Sequence, residues 1–183
     1  MQKAFFAVVG LSIALFVTTM VIAKEIEVSP SPLATPSASL SIEYFLPYPG
    51  LLPDHPLYPI KAIRDKLLSI FISNQVKQVE FNLLMADKRL NMGVFLSEKG
   101  KEALAETTVS KATKYFLDAT EGYARLPKET TSTVLFDRLT KSGNKHAVVI
   151  KQLRDKAPSA FIGGYNGSFE IINKSNLHLQ NLQ

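Results

Sequence analysis

Proline is spread so unevenly along this chain that it divides the molecule before any other feature is weighed. Eight of the ten prolines fall before residue 60, and the remaining two are Pro127 and Pro158. Proline locks φ and removes a backbone donor, so it is excluded from helix interiors and central strands. Residues 60–126, 128–157 and 159–183 are therefore open to long helices, whereas 29–59 are not. A chain of 183 residues that is 46% hydrophobic holds one domain and is not wholly disordered. With no Cys it has no disulfide framework, thiol nucleophile, Cys-ligated zinc, iron–sulfur site or lipidated cysteine.

Residues 4–23 carry no charged side chain, and 20 apolar or neutral residues make a helix of about 30 Å, the thickness of a bilayer core. Two readings fit. Lys3 and Val21-Ile22-Ala23 suit the basic region and cleavage site of a secretory signal peptide. The length of the run suits a retained transmembrane anchor. A buried helix of a cytosolic core fits less well, because the segment is apolar on every face. Either leading reading puts the remainder outside the cytoplasm: on the outward side of the cell membrane, or secreted or periplasmic after cleavage near Ala23. Residues 24–42 follow, containing Ser29-Pro30-Ser31-Pro32-Leu33-Ala34-Thr35-Pro36, an uncharged stretch that reads as an extended spacer.

From residue 43 the composition changes again. Tyr44-Phe45-Leu46-Pro47-Tyr48-Pro49-Gly50-Leu51-Leu52-Pro53-Asp54-His55-Pro56-Leu57-Tyr58-Pro59 interleaves five prolines with aromatic and aliphatic residues. It is too apolar for a free linker, so 43–58 reads as a strap laid on the domain, or else as a proline-rich ligand for a partner. Pro49-Gly50 suits a type II turn. Asp54 reads as a capping side chain for the helix that follows.

Beyond Pro59 the hydrophobic period becomes helical. Ile60, Ile63, Leu67, Ile70 and Phe71 define a first helix at about 57–73. Val76, Val79, Leu83, Ala86 and Leu90, widened by Phe81, Leu84, Met85, Met92, Phe95 and Leu96, define a central one at about 75–99, ended by Gly100. Leu104, Thr108, Ala112, Tyr115, Phe116, Ala119 and Tyr123 mark a third at about 101–126. Leu135, Leu139, Ala147, Ile150 and Leu153 mark a fourth, begun by Pro127 and running over about 128–157. Residues 159–180 fit a fifth helix, with Gly163, Gly164, Gly167 and Ser168 permitting close contact, although Asn166-Gly167 also suits a hairpin. The fold class is all-α: an antiparallel bundle of four to five helices behind a membrane or signal helix and a Pro-rich strap.

The strap sequence Tyr44 to Tyr58, with Lys61, Arg64-Asp65, Ala86-Asp87-Lys88-Arg89-Leu90, Glu98-Lys99-Gly100-Lys101, Ser110-Lys111-Ala112 and Tyr115, resembles a bacterial family known as domain of unknown function 5667, abundant in candidate-phylum genomes. The resemblance spans about residues 43–158. It implies an N-terminal apolar segment, a linker and a helical extracytoplasmic domain, and it implies no activity. Asn91, Met92 and Gly93 depart from the alanine-rich helix the family leads one to expect.

The chemistry-bearing residues are sparse. The three histidines, His55, His146 and His178, show no H-E-x-x-H or comparable metal-ligand spacing. His146 falls near the apolar stripe of the fourth helix and reads as a hydrogen-bonded structural residue. There is no G-x-S-x-G elbow. Gly163-Gly164-Tyr165-Asn166-Gly167 has neither the dinucleotide nor the P-loop pattern. Glu102 and Glu106 read as a solvated helix face rather than an acid–base pair. Asp87 and Arg89, set in an apolar helix, suggest one buried polar pairing that fixes register. A net charge of +5 is dispersed among acidic neighbours, which disfavours nucleic acid. No catalytic, cofactor-binding or metal-ligating residue is assigned. The expected role is that of a non-enzymatic interaction or structural module of the cell envelope. It would be held to the membrane through residues 4–23 if these are uncleaved, and would have an envelope protein as partner. A chaperone-like or small-ligand groove built on Phe81, Phe95, Tyr115, Phe116 and Tyr123 is the alternative, and an envelope hydrolase using His146 is a third reading.

Overall fold

A computed structural model describes residues 44–182; the apolar run 1–23 and the spacer 24–42 lie outside the described residues. Among the described residues five α-helices follow one another: α1 Tyr58–Phe71, α2 Gln75–Glu98, α3 Glu102–Ala124, α4 Thr133–Lys156 and α5 Ser159–Gln180. There is no strand among the described residues. Residues 160–172 are thus helical, and the hairpin alternative does not form.

Local chemistry sets the helix ends. Asn74 caps α2, its Oδ1 accepting from the Lys77 N–H at 3.0 Å. The same helix ends at Gly100, whose φ of 69° is costly for residues bearing a Cβ. The Gly100 N–H reaches the Ser97 carbonyl at 2.8 Å, and the Lys101 N–H reaches that of Leu96 at 2.9 Å. These paired bonds close the last turn and reverse the chain into α3. Between α4 and α5 the reversal needs only Ala157 and Pro158.

The fourth helix starts later than its sequence suggests. Pro127 does not begin α4; it leads into a 3-10 turn at Lys128–Thr130, and α4 starts at Thr133. Thr130 and Thr131 donate their hydroxyls to the carbonyls of Pro127 and Lys128 at 2.8 and 2.7 Å. These side chains offer the backbone a local alternative to the α-helix.

Helices α2 to α5 form the bundle. The α2–α3 pair meets most extensively, α3 and α4 both pack on α5, and α2 also meets α4. The core joins Val79, Leu83, Ala86 and Leu90 of α2 with Val109, Ala112, Phe116 and Ala119 of α3. Leu135, Leu139 and Ile150 of α4 and Tyr165, Ile172 and Leu179 of α5 complete it. Close approach is built in at Gly93, Gly143 and Gly164, the last beneath Glu106. A Cβ on Gly93 would overlap Val109 across α2–α3, and one on Gly143 would overlap Asn176 of α5 and Phe116 of α3. Of the small residues in α5, Gly164 and Ser168 do face neighbours, whereas Gly163 and Gly167 open onto free space.

The first helix departs from expectation. Its apolar stripe does not enter the core: Ile60, Ile63, Leu67, Ile70 and Phe71 are 66%, 62%, 50%, 68% and 78% exposed. The face turned inward instead carries Tyr58, Lys61, Ala62, Asp65 and Ser69. That face lies near Met85, Lys88, Arg89 and Met92 of α2. Amphipathic periodicity locates a stripe but not the medium it meets.

Candidate functional site

The strap is tied to the bundle by polar groups at several points. Asn91 Nδ2 donates to the Pro47 carbonyl at 3.0 Å. Lys61 Nζ donates to the carbonyls of Pro49 and Leu51 at 3.0 and 3.2 Å, across the turn made by Gly50 with its φ of 71°. Asp54 does not cap α1. Its Oδ2 accepts from Lys101 at 2.8 Å and Lys99 at 3.3 Å, and these contacts hold its carboxyl below the usual range. The backbone N–H of Leu57, at the start of α1, is met instead by His55 Nδ1 at 3.1 Å. Phe45 and Tyr48 point outward, 86% and 79% exposed.

The innermost tie is a node around Asp87. Its Oδ2 accepts from the Tyr44 hydroxyl at 2.6 Å; its Oδ1 accepts from Ser142 Oγ at 2.6 Å and meets His146 Nε2 at 3.0 Å. Asp87 is 3% exposed, and Ser142 and His146 are 0% exposed. Acceptance by the carboxylate assigns the imidazole proton to Nε2, leaving His146 Nδ1 buried without a partner. The His146 ring packs on Phe116 with centroids 5.2 Å apart. Burial, reinforced by the charge of Asp87, raises the Tyr44 phenol well above its ordinary range. Strap, α2 and α4 are thus locked together by three hydrogen bonds to one carboxylate.

The node assembles serine, histidine and aspartate without the geometry of nucleophilic catalysis. Ser142 gives its proton to Asp87 rather than to the imidazole, whereas an activated serine needs the base within reach of its own hydroxyl. Sequence singled out His146 and Asp87, and the structure brings them together. Tyr44 and Ser142 were missed. Ser142 lies one turn before His146 on the same face, which was the available signal for it. Arg89, the other charge in the central helix, lies over the Tyr115 ring at 4.2 Å. His178 sits in the last turn of α5, exposed.

Glu102 and Glu106 are not a freely solvated face. Both are half-buried against the start of α5. Glu102 accepts from Ser97 Oγ at 2.5 Å and from the Tyr165 hydroxyl at 3.3 Å, and Glu106 fills the space over Gly164. The Tyr165 phenol is raised by burial and then by Glu102.

Of the clefts of ligand size, two are the more enclosed. One, of about 330 Å³, is lined by Gln75, Gln78, Asn82, Asp118 and Arg125. Burial raises the Asp118 carboxyl there. The other, of about 470 Å³, is lined by Ser97, Glu98, Glu102, Gln152 and Lys156 among others. The aromatics expected to line a groove are placed elsewhere. Phe116 and Tyr123 are core residues, Phe81 and Tyr115 are half-buried, and Phe95 is exposed.

Around α1 the charge is one-sided. Lys61, Arg64, Lys88 and Arg89 gather with the single acid Asp65, which is buried and held by Arg64 at 2.8 Å. Burial pushes the Lys61 ammonium down; Asp65 opposes this, and the neighbouring cations Lys88, Arg89 and Arg64 add to it. No helix among the described residues is long and apolar enough to cross a membrane.

No curated protein and no solved structure matches this chain. A family profile does, over residues 50–160, covering the second half of the strap, α1 to α4 and the start of α5. That span is more than half of the 183 residues, and the chain belongs to the family described as domain of unknown function (DUF5667).

Proposed function

We propose that this protein is an extracytoplasmic helical domain, membrane-anchored or secreted, that serves as a non-enzymatic interaction or structural module of a bacterial cell envelope. The observation that carries this reading is the order of segments. A charge-free run over residues 4–23 is followed by a spacer rich in Pro, Ser and Thr and then by a strap tied to a bundle. A spacer of this composition sets how far a folded body can reach from the surface to which its start is attached. The outward-facing Phe45 and Tyr48 follow the spacer directly in sequence. Rigid aromatic side chains between prolines suit contact with a partner protein at low entropic cost. The alternative of a chaperone-like or small-ligand binder gains less support, because the aromatics invoked for it are spread between core and surface.

Crosslinking within cells tests the interaction role. A photoreactive phenylalanine analogue at Phe45 or Tyr48 should yield one discrete product with an envelope protein, absent when the same analogue replaces exposed Lys151. Diffuse or absent products at both positions would refute a partner at the strap.

A further inference from the structure

From the placement of α1 we infer that its outward stripe is a second membrane contact, lying in the interfacial layer of a bilayer that carries anionic headgroups. This rests on the membrane-anchored form of the reading above. The helix reverses the usual arrangement. Its polar face meets the body, while Ile60, Ile63, Leu67, Ile70 and Phe71 form a contiguous stripe, each at least half exposed. Contiguous apolar surface of this kind marks an interaction site, whereas scattered single residues do not.

Charge selects the occupant. At 100° per residue, Arg64 borders one edge of the stripe and Lys66 the other, and both are exposed. The sole acid of the helix, Asp65, is turned inward and bonded to that same Arg64, whose side chain stays 64% exposed. Lys88 and Arg89 of α2 lie on the inward side of the helix, where they leave Asp65 no excess of negative charge. In a second copy of the chain, the same cations would border the facing stripe, with no acid to meet them. The chain's own apolar run, 4–23, offers no negative charge either. Anionic headgroups complement both edges while acyl chains receive the stripe, as interfacial helices do. The tether and the stripe would together give two membrane signals, with the bundle held close to the surface.

The absence of Cys makes the test direct. The full chain carries a single environment-sensitive dye at Leu67→Cys, Ile70→Cys or, as control, exposed Lys151→Cys. It is reconstituted in vesicles of equimolar phosphatidylcholine and phosphatidylglycerol containing spin-labelled lipid. Labels at 67 and 70 should be blue-shifted and quenched roughly threefold or more relative to 151. Leu67→Glu should return the label at 70 to the control level, without unfolding a chain whose residue 67 faces solvent. If the chain floats with vesicles but 67 and 70 match 151, the stripe inference fails and the anchor stands. If the labels are shielded from aqueous iodide but not quenched by lipid, a protein surface covers the stripe and the inference is overturned. If the chain does not float, the anchored reading fails together with it.

Discussion

Replacing Asp87 by alanine removes one carboxylate and leaves three side chains without an acceptor. Tyr44 Oη, Ser142 Oγ and His146 Nε2 all lie within 3.0 Å of its oxygens. Each buried polar group left unpaired costs about 1–3 kcal/mol. The three do not add, because they share one partner and the vacated space relaxes. Falling short of their sum of about 3–9 kcal/mol, the three unpaired groups give an expected loss of about 3–5 kcal/mol. For a chain of this length it lowers the melting temperature by roughly 6–20 °C. Asp87→Asn keeps an acceptor and should lose only about 1–2 kcal/mol. The assay is thermal unfolding followed by far-UV circular dichroism at neutral pH, for Asp87→Ala, Ser142→Ala and the double variant. The combined loss should fall short of the sum of the two single losses by about 1 kcal/mol or more. A loss below about 1 kcal/mol for Asp87→Ala, or strict additivity with Ser142→Ala, would refute the node as a shared buried network tying α2 to α4.

Other outcomes can be checked in the same experiments. Gly143→Ala should cost about 1–3 kcal/mol, because its Cβ overlaps Asn176 and Phe116, while Gly163→Ala, opening onto free space, should stabilise by about 0.4–1 kcal/mol. Gly100→Ala should destabilise by about 1 kcal/mol, since it forces a residue with a Cβ to φ 69°. The phenols of Tyr44 and Tyr165 are raised above the ordinary 10.0, so they ionise later in the folded chain than in the unfolded one. Their stabilising contribution is therefore complete below about pH 10 and is lost as pH rises beyond it, and Tyr44→Phe should flatten that decline in a series of melts.

Much of the bundle was legible in the sequence because apolar period, glycine stops and proline starts agreed. The α2 stripe from Val79 to Leu90 is buried as its spacing suggests, and Gly100 ends the helix through the bonds its positive φ permits. What the spacing could not show was the medium facing α1. Ile63 and Leu67 mark a stripe, but only the position of Asp65 and Lys61 against the body shows that it points away. Asp54 was misread as a cap because its place before a helix start is the ordinary signal for one; its actual partners, Lys99 and Lys101, are 45 and 47 residues away. The node has the same character. Asp87 in an apolar helix demanded a partner, yet Tyr44 and Ser142 are 43 and 55 residues distant, and no local pattern ties them together. Thr130 and Thr131 delayed α4 through hydroxyl bonds that compete with the helix, an effect too local for hydrophobic periodicity to register.

The most direct test of an anchored extracytoplasmic domain is the fate of the whole chain in a bacterial cell. The full sequence is expressed, the cells are converted to spheroplasts and fractionated, and the intact mass is measured before and after external protease. An anchored domain gives a species of full-length mass, 20.2 kDa, in the membrane fraction, with residues beyond the spacer digested by protease added outside. A full-length species in the soluble cytoplasmic fraction, untouched by that protease, would contradict it.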